Sequence, residues 1–425
     1  MPSEEHDNST LEDSGINPNR VAATILSEHK IIYSAGNYYE YCNGYYKLID
    51  EQEIKRYIKD ILGDKYRRYS TNDVLCSIQT EVFIKPENLN NTERLNLING
   101  LFDLETEELH DHTPDIYSTI RLNVSYNTNA FCPKWSKAVA EILDNDESKI
   151  SILQEYFGLC FTKDTKYQKA LFLIGEGSNG KSTLLYVLEN LIGDENRAAI
   201  PIEKLNNANY VANLFNKLVN ISIETNAKSE VYDSMFKAIV SGDSIEADPK
   251  FRPPFNFRPF CKLIYALNNM PRVDDKTNAF FRRLLMLRFN RQFEEGADNK
   301  NLKYELLKEM DGIFLWCIEG LRNLKKRGHF LLDLEMKNEI EGYRAENNNI
   351  IVFVSEECEI SVNLDVSKQR LYESYTEWCK NSGNKPLSKL KFGKELKKQF
   401  KTVDGEGRTS DERRWIGIGF QGAVL

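Results

Sequence analysis

The sequence lacks several features that would mark common classes of protein. Its 425 residues contain 56 Lys and Arg against 64 Asp and Glu, so there is no overall excess of positive charge. A nucleic-acid partner would therefore have to bind local basic patches. No apolar run approaches the roughly 18 residues that a membrane-spanning helix needs. The length exceeds that of one ordinary domain, and a hydrophobic content of 41% is typical of a globular protein.

The cysteines form no disulfide or metal-binding pattern. Eight are scattered along the chain without a C-x-x-C pair, at positions 42, 76, 132, 160, 261, 317, 358 and 379. This usage is typical of a reducing cytoplasm, where we expect the protein. Residues 1–20 are polar and lack the apolar core of a signal peptide, so we interpret them as a flexible arm. His110 and His112 have no further Cys or His nearby, which favours a loop over a metal site.

The stretch LFLIGEGSNGKSTLLYVL, residues 171–188, matches the phosphate-binding loop pattern G-x-x-x-x-G-K-[ST] at every fixed position. An apolar strand precedes it and a helix-like run follows it. Glycines let backbone N–H groups turn towards phosphate oxygens, and the positive end of the helix faces the same place. We expect Lys181 to reach the β- and γ-phosphates of ATP and Ser182 to ligate Mg²⁺. The predicted ATP-binding residues are Gly175, Gly177, Ser178, Asn179, Gly180, Lys181, Ser182 and Thr183.

Polar residues after two later strands extend this predicted ATPase site. The strand from Leu218 to Ile223 is followed by Glu224, where a carboxylate can hold Mg²⁺ and polarise the attacking water. FCKLIYALNN (260–269) predicts a strand that ends in Asn268 and Asn269. The amide of Asn268 can orient that water, although asparagine also ends strands for structural reasons.

Two adjacent arginines, Arg282 and Arg283, stand in AFFRRLLMLRF (279–289). A guanidinium that reaches the γ-phosphate of a neighbouring subunit stabilises transition-state charge. A surface arginine pair beside a strand explains the pattern equally well.

Two basic stretches are candidate DNA contacts. Residues 244–259 predict a β-hairpin with Lys250, Phe251 and Arg252 at its tip. Cations interleaved with an aromatic residue are typical of proteins that bind the backbone of single-stranded nucleic acid. A solvated turn is the alternative. Residues 366–383 and 387–400 predict two helices, and 402–420 a hairpin, which is the order of a winged helix. Its second helix could enter a DNA groove or be only a solvated face. The lysines expected at DNA are Lys389, Lys391, Lys394 and Lys398.

In this order the parts resemble the superfamily 3 helicase region of phage and plasmid primase-helicases, which is related to the poxvirus primase-helicase. The matching segments are GEGSNGKST (175–183), NISIE (220–224), FKAIVSGDSIEA (236–247), YALNNMP (265–271) and FFRRLLMLRF (280–289). Residues 97–127 resemble the domain that precedes the helicase in that family, and residues 371–397 resemble its C-terminal winged-helix module.

The resemblance implies a hexameric AAA+-type ring that uses ATP and Mg²⁺ to move along single-stranded DNA, typically 3′ to 5′. It makes Glu224 the Walker B acid, Asn268 the sensor and either Arg282 or Arg283 a finger supplied in trans. It also places Lys250, with Arg252, on a hairpin in the central channel.

Two departures from that family pattern stand out. Ile223 occupies the position where many members carry a second acid, so catalysis would rest on one carboxylate. The chain has no room for the large N-terminal primase domain of many relatives, so we expect a separate protein to supply primase activity.

We therefore predict an α/β protein with a P-loop AAA+-type ATPase core, an α+β N-terminal domain and a C-terminal winged-helix module. The predicted division is a flexible arm (1–20), the N-terminal domain (21–147), the ATPase domain (148–300), a helical extension (301–345) and the winged-helix module (346–425). The predicted function is an ATP-dependent replicative DNA helicase of a phage or mobile genetic element, which could also act as a replication initiator. The alternatives are a DNA-binding initiator or loader that uses ATP for assembly, and a P-loop phosphotransferase.

Overall fold

The fold is mixed α/β and is built around a five-stranded parallel sheet. The computed structural model describes residues 15–223, 230–231, 233–250, 253–273, 278–294, 299, 301–408 and 412–422. None of the helices in these ranges is long and apolar enough to cross a membrane.

The amino-terminal part combines helices with an antiparallel sheet. Its elements are α1 (Pro18–Glu28), β1 (Ile31–Ser34), β2 (Asn37–Cys42), β3 (Tyr45–Ile49), α2 (Glu51–Leu62) and α3 (Arg68–Glu81), and β2 lies between β1 and β3. Strands β2 and β3 form a hairpin around Asn43-Gly44, because Cys42 pairs with Tyr45 across this turn. The side chain of Asp50 caps α2 by accepting a hydrogen bond from the Gln52 N–H. Helix α1 begins within the segment that was expected to be a flexible arm.

A second antiparallel sheet and two helices lead into the parallel sheet. These elements are β4 (Leu95–Leu97), β5 (Gly100–Phe102), β6 (Leu109–His110), α4 (Pro133–Ile142) and α5 (Glu147–Leu159). Buried residues such as Phe102 and Trp135 belong to the same hydrophobic cluster as Leu171 of the parallel sheet. This cluster contains residues on both sides of the boundary predicted between 147 and 148, and the division into domains stays a prediction.

The parallel sheet and the elements around it lie between residues 170 and 288. These elements are β7 (Ala170–Ile174), α6 (Lys181–Ile192), β8 (Arg197–Ala198), α7 (Ala208–Val211), β9 (Val219–Ile223), β10 (Glu230–Val231), α8 (Asp233–Ser241), β11 (Ile245–Ala247), β12 (Phe255–Phe257), β13 (Lys262–Leu267), β14 (Arg272–Val273), α9 (Asn278–Phe281) and β15 (Leu284–Arg288). The strand order in the sheet is β15-β7-β13-β9-β8, so the first of the five strands in sequence lies between the fourth and the fifth. Every residue of β7 and β13 is buried, as expected for central strands with both faces covered.

Helices cover both faces of the parallel sheet. The chain continues through α10 (Leu302–Leu306), α11 (Met310–Arg327) and α12 (Leu334–Glu346). Since side chains alternate along a strand, Leu171 and Leu173 join a cluster with α5, α6 and α11, whereas Phe172 and Ile174 join one with α8, α9 and α12. Helices α5 and α11 approach closely at Gly158, where a Cβ atom would lie 2.2 Å from the Cys317 carbonyl oxygen.

The carboxyl-terminal part has its own hydrophobic cluster, which includes Phe353, Tyr375, Phe392 and Trp415. Its elements are α13 (Asn349–Glu357), β16 (Cys358–Ser367), α14 (Lys368–Asn381), α15 (Lys389–Gln399), β17 (Asp404–Arg408) and β18 (Arg413–Phe420). The two predicted helices and the predicted hairpin are confirmed. Strand β16 was not predicted; it pairs with β18, so the sheet has the order β16-β18-β17.

Candidate functional site

The phosphate-loop pattern lies at the carboxyl end of β7 and runs into α6, as the sequence predicts. Gly180 is the N-cap of α6 and has φ 84°, a conformation that favours glycine. A Cβ atom on Gly180 would lie 2.7 Å from the Ile142 side chain, and one on Gly175 would lie 2.5 Å from Asn179 Nδ2. These two positions therefore need glycine for space as well as for backbone geometry.

The Lys181 ammonium group is held inside this loop. It donates hydrogen bonds to the Gly175 carbonyl oxygen at 2.6 Å, the Glu176 carbonyl oxygen at 3.2 Å and Asn179 Oδ1 at 2.9 Å. Only 8% of the residue is exposed, and this burial lowers the pKa of its side chain. The loop is thus already folded around a cation.

The loop has groups that suit a triphosphate. The buried Nδ2 of Asn179 has no hydrogen-bond partner among the described residues, so a donor is available inside the loop. Glu176, Gly177 and Ser178 are exposed along it, and Ser182 is exposed in the first turn of α6. The amino-terminal end of a helix favours an anion at this position.

Asn268 lies beside the phosphate loop. It follows β13, whose last residue, Leu267, pairs with Ile174 and accepts a hydrogen bond from the Gly175 backbone N–H at 3.1 Å. The Asn268 side chain is exposed at this carboxyl edge. On the other side of β13, β9 ends at Ile223, which pairs with Ala266 and is 46% exposed. Glu224 comes next in sequence and lies outside the described residues, so its assigned role stays a prediction.

A segment that sequence reasoning missed, residues 289–293, lies along the phosphate loop. The Phe289 N–H donates to the Ile174 carbonyl oxygen at 2.7 Å, and the Phe293 N–H donates to that of Ser178 at 2.8 Å. The Lys181 Nζ lies 6.0 Å from the centre of the Phe289 ring. These contacts join residues more than 100 positions apart, and no local pattern in the sequence indicates them.

The two candidate finger residues lie at the opposite edge of the sheet. Arg282 and Arg283 precede β15, whose first residue, Leu284, pairs with the first residue of β7, Ala170. Arg283 is buried, whereas Arg282 is exposed. The arginines thus stand at the amino edge and the phosphate loop at the carboxyl edge.

The predicted basic hairpin is confirmed as a β-hairpin, because β11 and β12 pair from Ile245 with Phe257 to Ala247 with Phe255. Lys250 is exposed in the connection. Phe251 and Arg252 lie outside the described residues, so their proposed contacts with DNA stay predictions.

The lysines of α15 differ in their surroundings. Lys389 donates to Gln369, and Lys398 lies 3.6 Å from Glu395. Lys391 and Lys394 are exposed and make no ion pair within the described part of the chain. They face away from the buried Phe392, so two cations on this face are available to an external anion.

Metal-ligand clusters of three or more His, Cys, Asp or Glu side chains are absent from the described ranges. His112, from the His-Asp-His stretch, contacts the Leu97 carbonyl oxygen at 2.9 Å and Asn96 Oδ1 at 3.1 Å through Nε2. The predicted Mg²⁺ ligands are Ser182, which is exposed beside the loop, and Glu224, which the structure does not describe.

Three family models match separate parts of the chain. The model described as "D5 N terminal like" matches residues 21–144, and "Poxvirus D5 protein-like" matches residues 345–416. Between them, a family of unknown function (DUF5906) matches residues 173–283, which include the phosphate loop.

Two viral relatives align along most of the chain. "Putative helicase L207/L206" of Acanthamoeba polyphaga mimivirus is 21% identical over 412 residues, which cover 86% of this chain and 41% of that protein. "Putative helicase 184R" of Invertebrate iridescent virus 6 is 22% identical over 402 residues, which cover 79% of this chain and 40% of that protein. The chain thus spans about two fifths of the length of these curated relatives.

Solved structures of the C-terminal region of NrS-1 share the fold. Its A-form apo structure has a TM-score of 0.57 and 14% identity, covering 95% of this chain and 100% of that one. A second apo structure has the same TM-score, 11% identity and coverage of 95% and 99%. The D5-like models that match both ends of the chain, and the viral relatives that align along most of its length, support a D5-like primase-helicase family for this chain.

Proposed function

We propose that this chain is an ATP-dependent DNA helicase that works as a ring of identical subunits. The observation that carries the proposal is the phosphate loop at the carboxyl end of a central parallel strand, with its lysine already held inside and Asn268 on the adjoining strand. Parallel sheets bind ligands at this edge, and a nucleotide phosphate matches a loop of this kind.

The residues fit the handling of ATP and Mg²⁺. Lys181, Asn179 and the backbone N–H groups of the loop would hold the triphosphate. Ser182 and Glu224 would hold Mg²⁺, which when bound neutralises charge on the β- and γ-phosphates. Asn268 would orient the attacking water. Asn179 would turn its Nδ2, which has no partner among the described residues, towards a phosphate oxygen.

The ring architecture is supported by the strand order and by the family. With the parallel strands numbered in chain order, the sheet reads 5-1-4-3-2, which is consistent with an AAA+-type core. Because the arginines and the phosphate loop lie at opposite edges, an arginine would complete the site of a neighbouring copy. The hexameric state and 3′-to-5′ movement rest on the family resemblance.

The DNA contacts are proposed at two places. The exposed Lys250 on the β11–β12 hairpin would grip a single strand in the channel. The carboxyl-terminal part, with α14, α15 and the β17–β18 hairpin in winged-helix order, would place Lys391 and Lys394 at duplex DNA. A separate primase and an initiator role remain part of the proposal.

One observation favours a second candidate, a loader in which ATP drives assembly only. The residue at the end of β9, where a second acid would strengthen hydrolysis, is the half-exposed Ile223. ATP would then stabilise oligomers on DNA without sustained turnover.

Unwinding of forked DNA substrates of both polarities, with and without ATP, tests these alternatives. The native protein, Lys181→Ala and the control Lys59→Ala, an exposed lysine of α2, would be compared, with oligomer size measured in parallel. A helicase unwinds in its native and Lys59→Ala forms only. Unwinding by Lys181→Ala contradicts the proposal, and nucleotide-dependent oligomers that bind DNA without hydrolysing ATP identify the loader.

A further inference from the structure

The amino-terminal edge of the parallel sheet carries two adjacent arginines with different surroundings. Arg283 is buried and committed to its own chain: Nη1 donates to the Ala279 carbonyl oxygen at 2.5 Å, and Nη2 donates to Ser241 Oγ at 2.8 Å. Removing these contacts would leave a buried cation poorly bonded, which is costly. Arg283 is therefore a structural residue of this edge.

Arg282 is held far more lightly. It is exposed, and among the described residues its guanidinium donates one hydrogen bond, from Nη2 to Gln168 Oε1 at 3.0 Å. No carboxylate of the described chain lies within ion-pair distance of it. A guanidinium has five N–H donors, so most of the donors of Arg282 remain available to an anion from outside this chain.

Gln168 and Lys169 together hold the Arg282 residue in place. Gln168 Oε1 also accepts a hydrogen bond from Arg283 Nη2 at 3.5 Å. Lys169 Nζ donates to the Arg282 carbonyl oxygen at 2.6 Å and to that of Leu284 at 3.5 Å. Burial, and then the charge of Arg282, lower the pKa of Lys169 to about 8. The adjacent residues Gln168 and Lys169 thus contact the side chain and the backbone of Arg282, respectively.

We propose that Arg282 is the arginine offered to the ATP phosphates of a neighbouring copy, and that Gln168 is its positioning residue. The proposal rests on the ring ATPase proposed above and deepens it. A neutral amide oxygen can hold a guanidinium without cancelling its charge, whereas a carboxylate would compete with the phosphate. Lys169 keeps the surroundings positive, which favours an incoming anion.

The geometry requires a second copy. Arg282 precedes Leu284, which pairs with Ala170, whereas the phosphate loop follows Ile174, which pairs with Arg288. The five-residue strand between these two edges is about 13–17 Å long. Arg282 and the phosphate loop of the same chain therefore lie at opposite edges of the sheet.

Replacing Gln168 by Leu tests its role. We expect kcat for ATP hydrolysis to fall about 10-fold or more, with KM and the affinity for ATP unchanged, because the phosphate loop is untouched. Gln79→Leu is the matched control, since Gln79 donates to Tyr38 OH at 2.9 Å far from this edge. Gln168→Glu should also lower kcat, because it pairs with Arg282, while its melting temperature stays at or above that of the native protein. That combination separates positioning from loss of folding.

Mixed oligomers test whether Gln168 acts in the subunit that supplies the arginine. Arg282→Ala has an intact loop, and Lys181→Ala has an intact Arg282, so mixing the two should restore part of the ATPase activity. A Lys181→Ala subunit that also carries Gln168→Leu should restore several-fold less ATPase activity when it is mixed with Arg282→Ala. The phosphate loop of this subunit is inactive with or without Gln168→Leu, so the difference arises from the arginine that it supplies.

The outcomes distinguish the two proposals. Native kcat in Gln168→Leu and Gln168→Glu, with equal restoration in both mixtures, overturns the positioning role and leaves the ATPase intact. Full ATPase activity of Lys181→Ala alone overturns the proposed function itself. Native activity of Arg282→Ala overturns the assignment of Arg282.

Discussion

Replacing Lys181 by Met separates nucleotide binding from folding. In the structure the ammonium group satisfies two loop carbonyls and Asn179 Oδ1. Nucleotide binding therefore exchanges these contacts for contacts with phosphate. Because the lysine is nearly buried, its replacement by an apolar side chain of similar length also removes the cost of burying a charge. Folding should thus tolerate the change better than binding does.

The expected loss of binding follows from one charge-assisted contact. Hydrogen bonds to charged groups contribute about 1.5–3 kcal/mol, which corresponds to an affinity for ATP weaker by roughly 10- to 150-fold. ATP at about 100 times the native Kd stabilises the native protein by about 2.7 kcal/mol. At the same concentration, the variant should gain only about 0.3–1.4 kcal/mol.

Thermal unfolding with and without Mg·ATP measures this difference. For a domain of this size, 1 kcal/mol shifts Tm by about 2–4 °C, so the native shift should be about 5–11 °C. The shift of Lys181→Met should be about half of that or less, and the exposed Lys59→Met should shift like the native protein. An ATP-induced shift of native size in Lys181→Met would refute the role assigned to this lysine.

Three further predictions concern folding and DNA binding. Glu155→Leu should lower the free energy of unfolding by about 2–4 kcal/mol. Glu155 is 1% exposed, and the variant would remove the carboxylate that lies 2.5 Å from Arg327. A urea titration that finds a loss of less than about 1 kcal/mol contradicts this prediction. Burial lowers the pKa of Lys262 from 10.5 to about 8, so the folded state releases its proton first as the pH rises. The native protein should then gain stability relative to Lys262→Met between pH 8 and 10.5, by up to about 3 kcal/mol, and a pH-independent difference would be contrary evidence. Replacing both Lys391 and Lys394 by Ala should weaken duplex binding and reduce the slope of log K against log salt by about 2, whereas Lys397→Ala, already paired with Asp404 at 3.2 Å, should change less.

Elements whose signals are local were predicted correctly. The strand, glycine loop and helix at 171–188 occur in one continuous stretch. The two helices and the hairpin at the carboxyl end likewise have apolar spacing or turn residues that indicate them. In each case the signal that identifies the element lies within its own stretch of sequence.

Strand β16 was not predicted, although its own sequence carries a local signal. Ile360, Val362, Leu364 and Val366 alternate with polar residues, which is typical of a strand. The register with β18 shifts between Ile360 and Asp365, so the alternation does not match one buried face. Its partner strand is some 50 residues away in sequence, and the pairing depends on that distant contact.

The arginine pair shows a different limit. Arg282 and Arg283 are adjacent, identical in type and equally compatible with a finger, so the sequence could not distinguish them. Helix α9 ends at Phe281, and the turn that follows directs one guanidinium to Ser241 and the other to the surface. Because Ser241 comes from α8, the choice depends on tertiary packing. The roles of Glu224, Phe251 and Arg252 lie outside the described residues and stay predictions.

The placement of groups on the sheet bears on why a ring would be needed. Phosphate-binding groups lie at the carboxyl edge, where Gly175 bonds to Leu267 and the 289–293 segment bonds to Ile174 and Ser178. The exposed Arg282 lies at the amino edge, separated from them by the length of β15. Arg282 precedes β15 and the phosphate loop follows its neighbour β7, so a packed pair of strands separates the two groups and a loop movement within one subunit does not bring them together. Under the proposed function, ATP hydrolysis then depends on contact between copies, and a change of the nucleotide at one loop alters the contact with the next subunit.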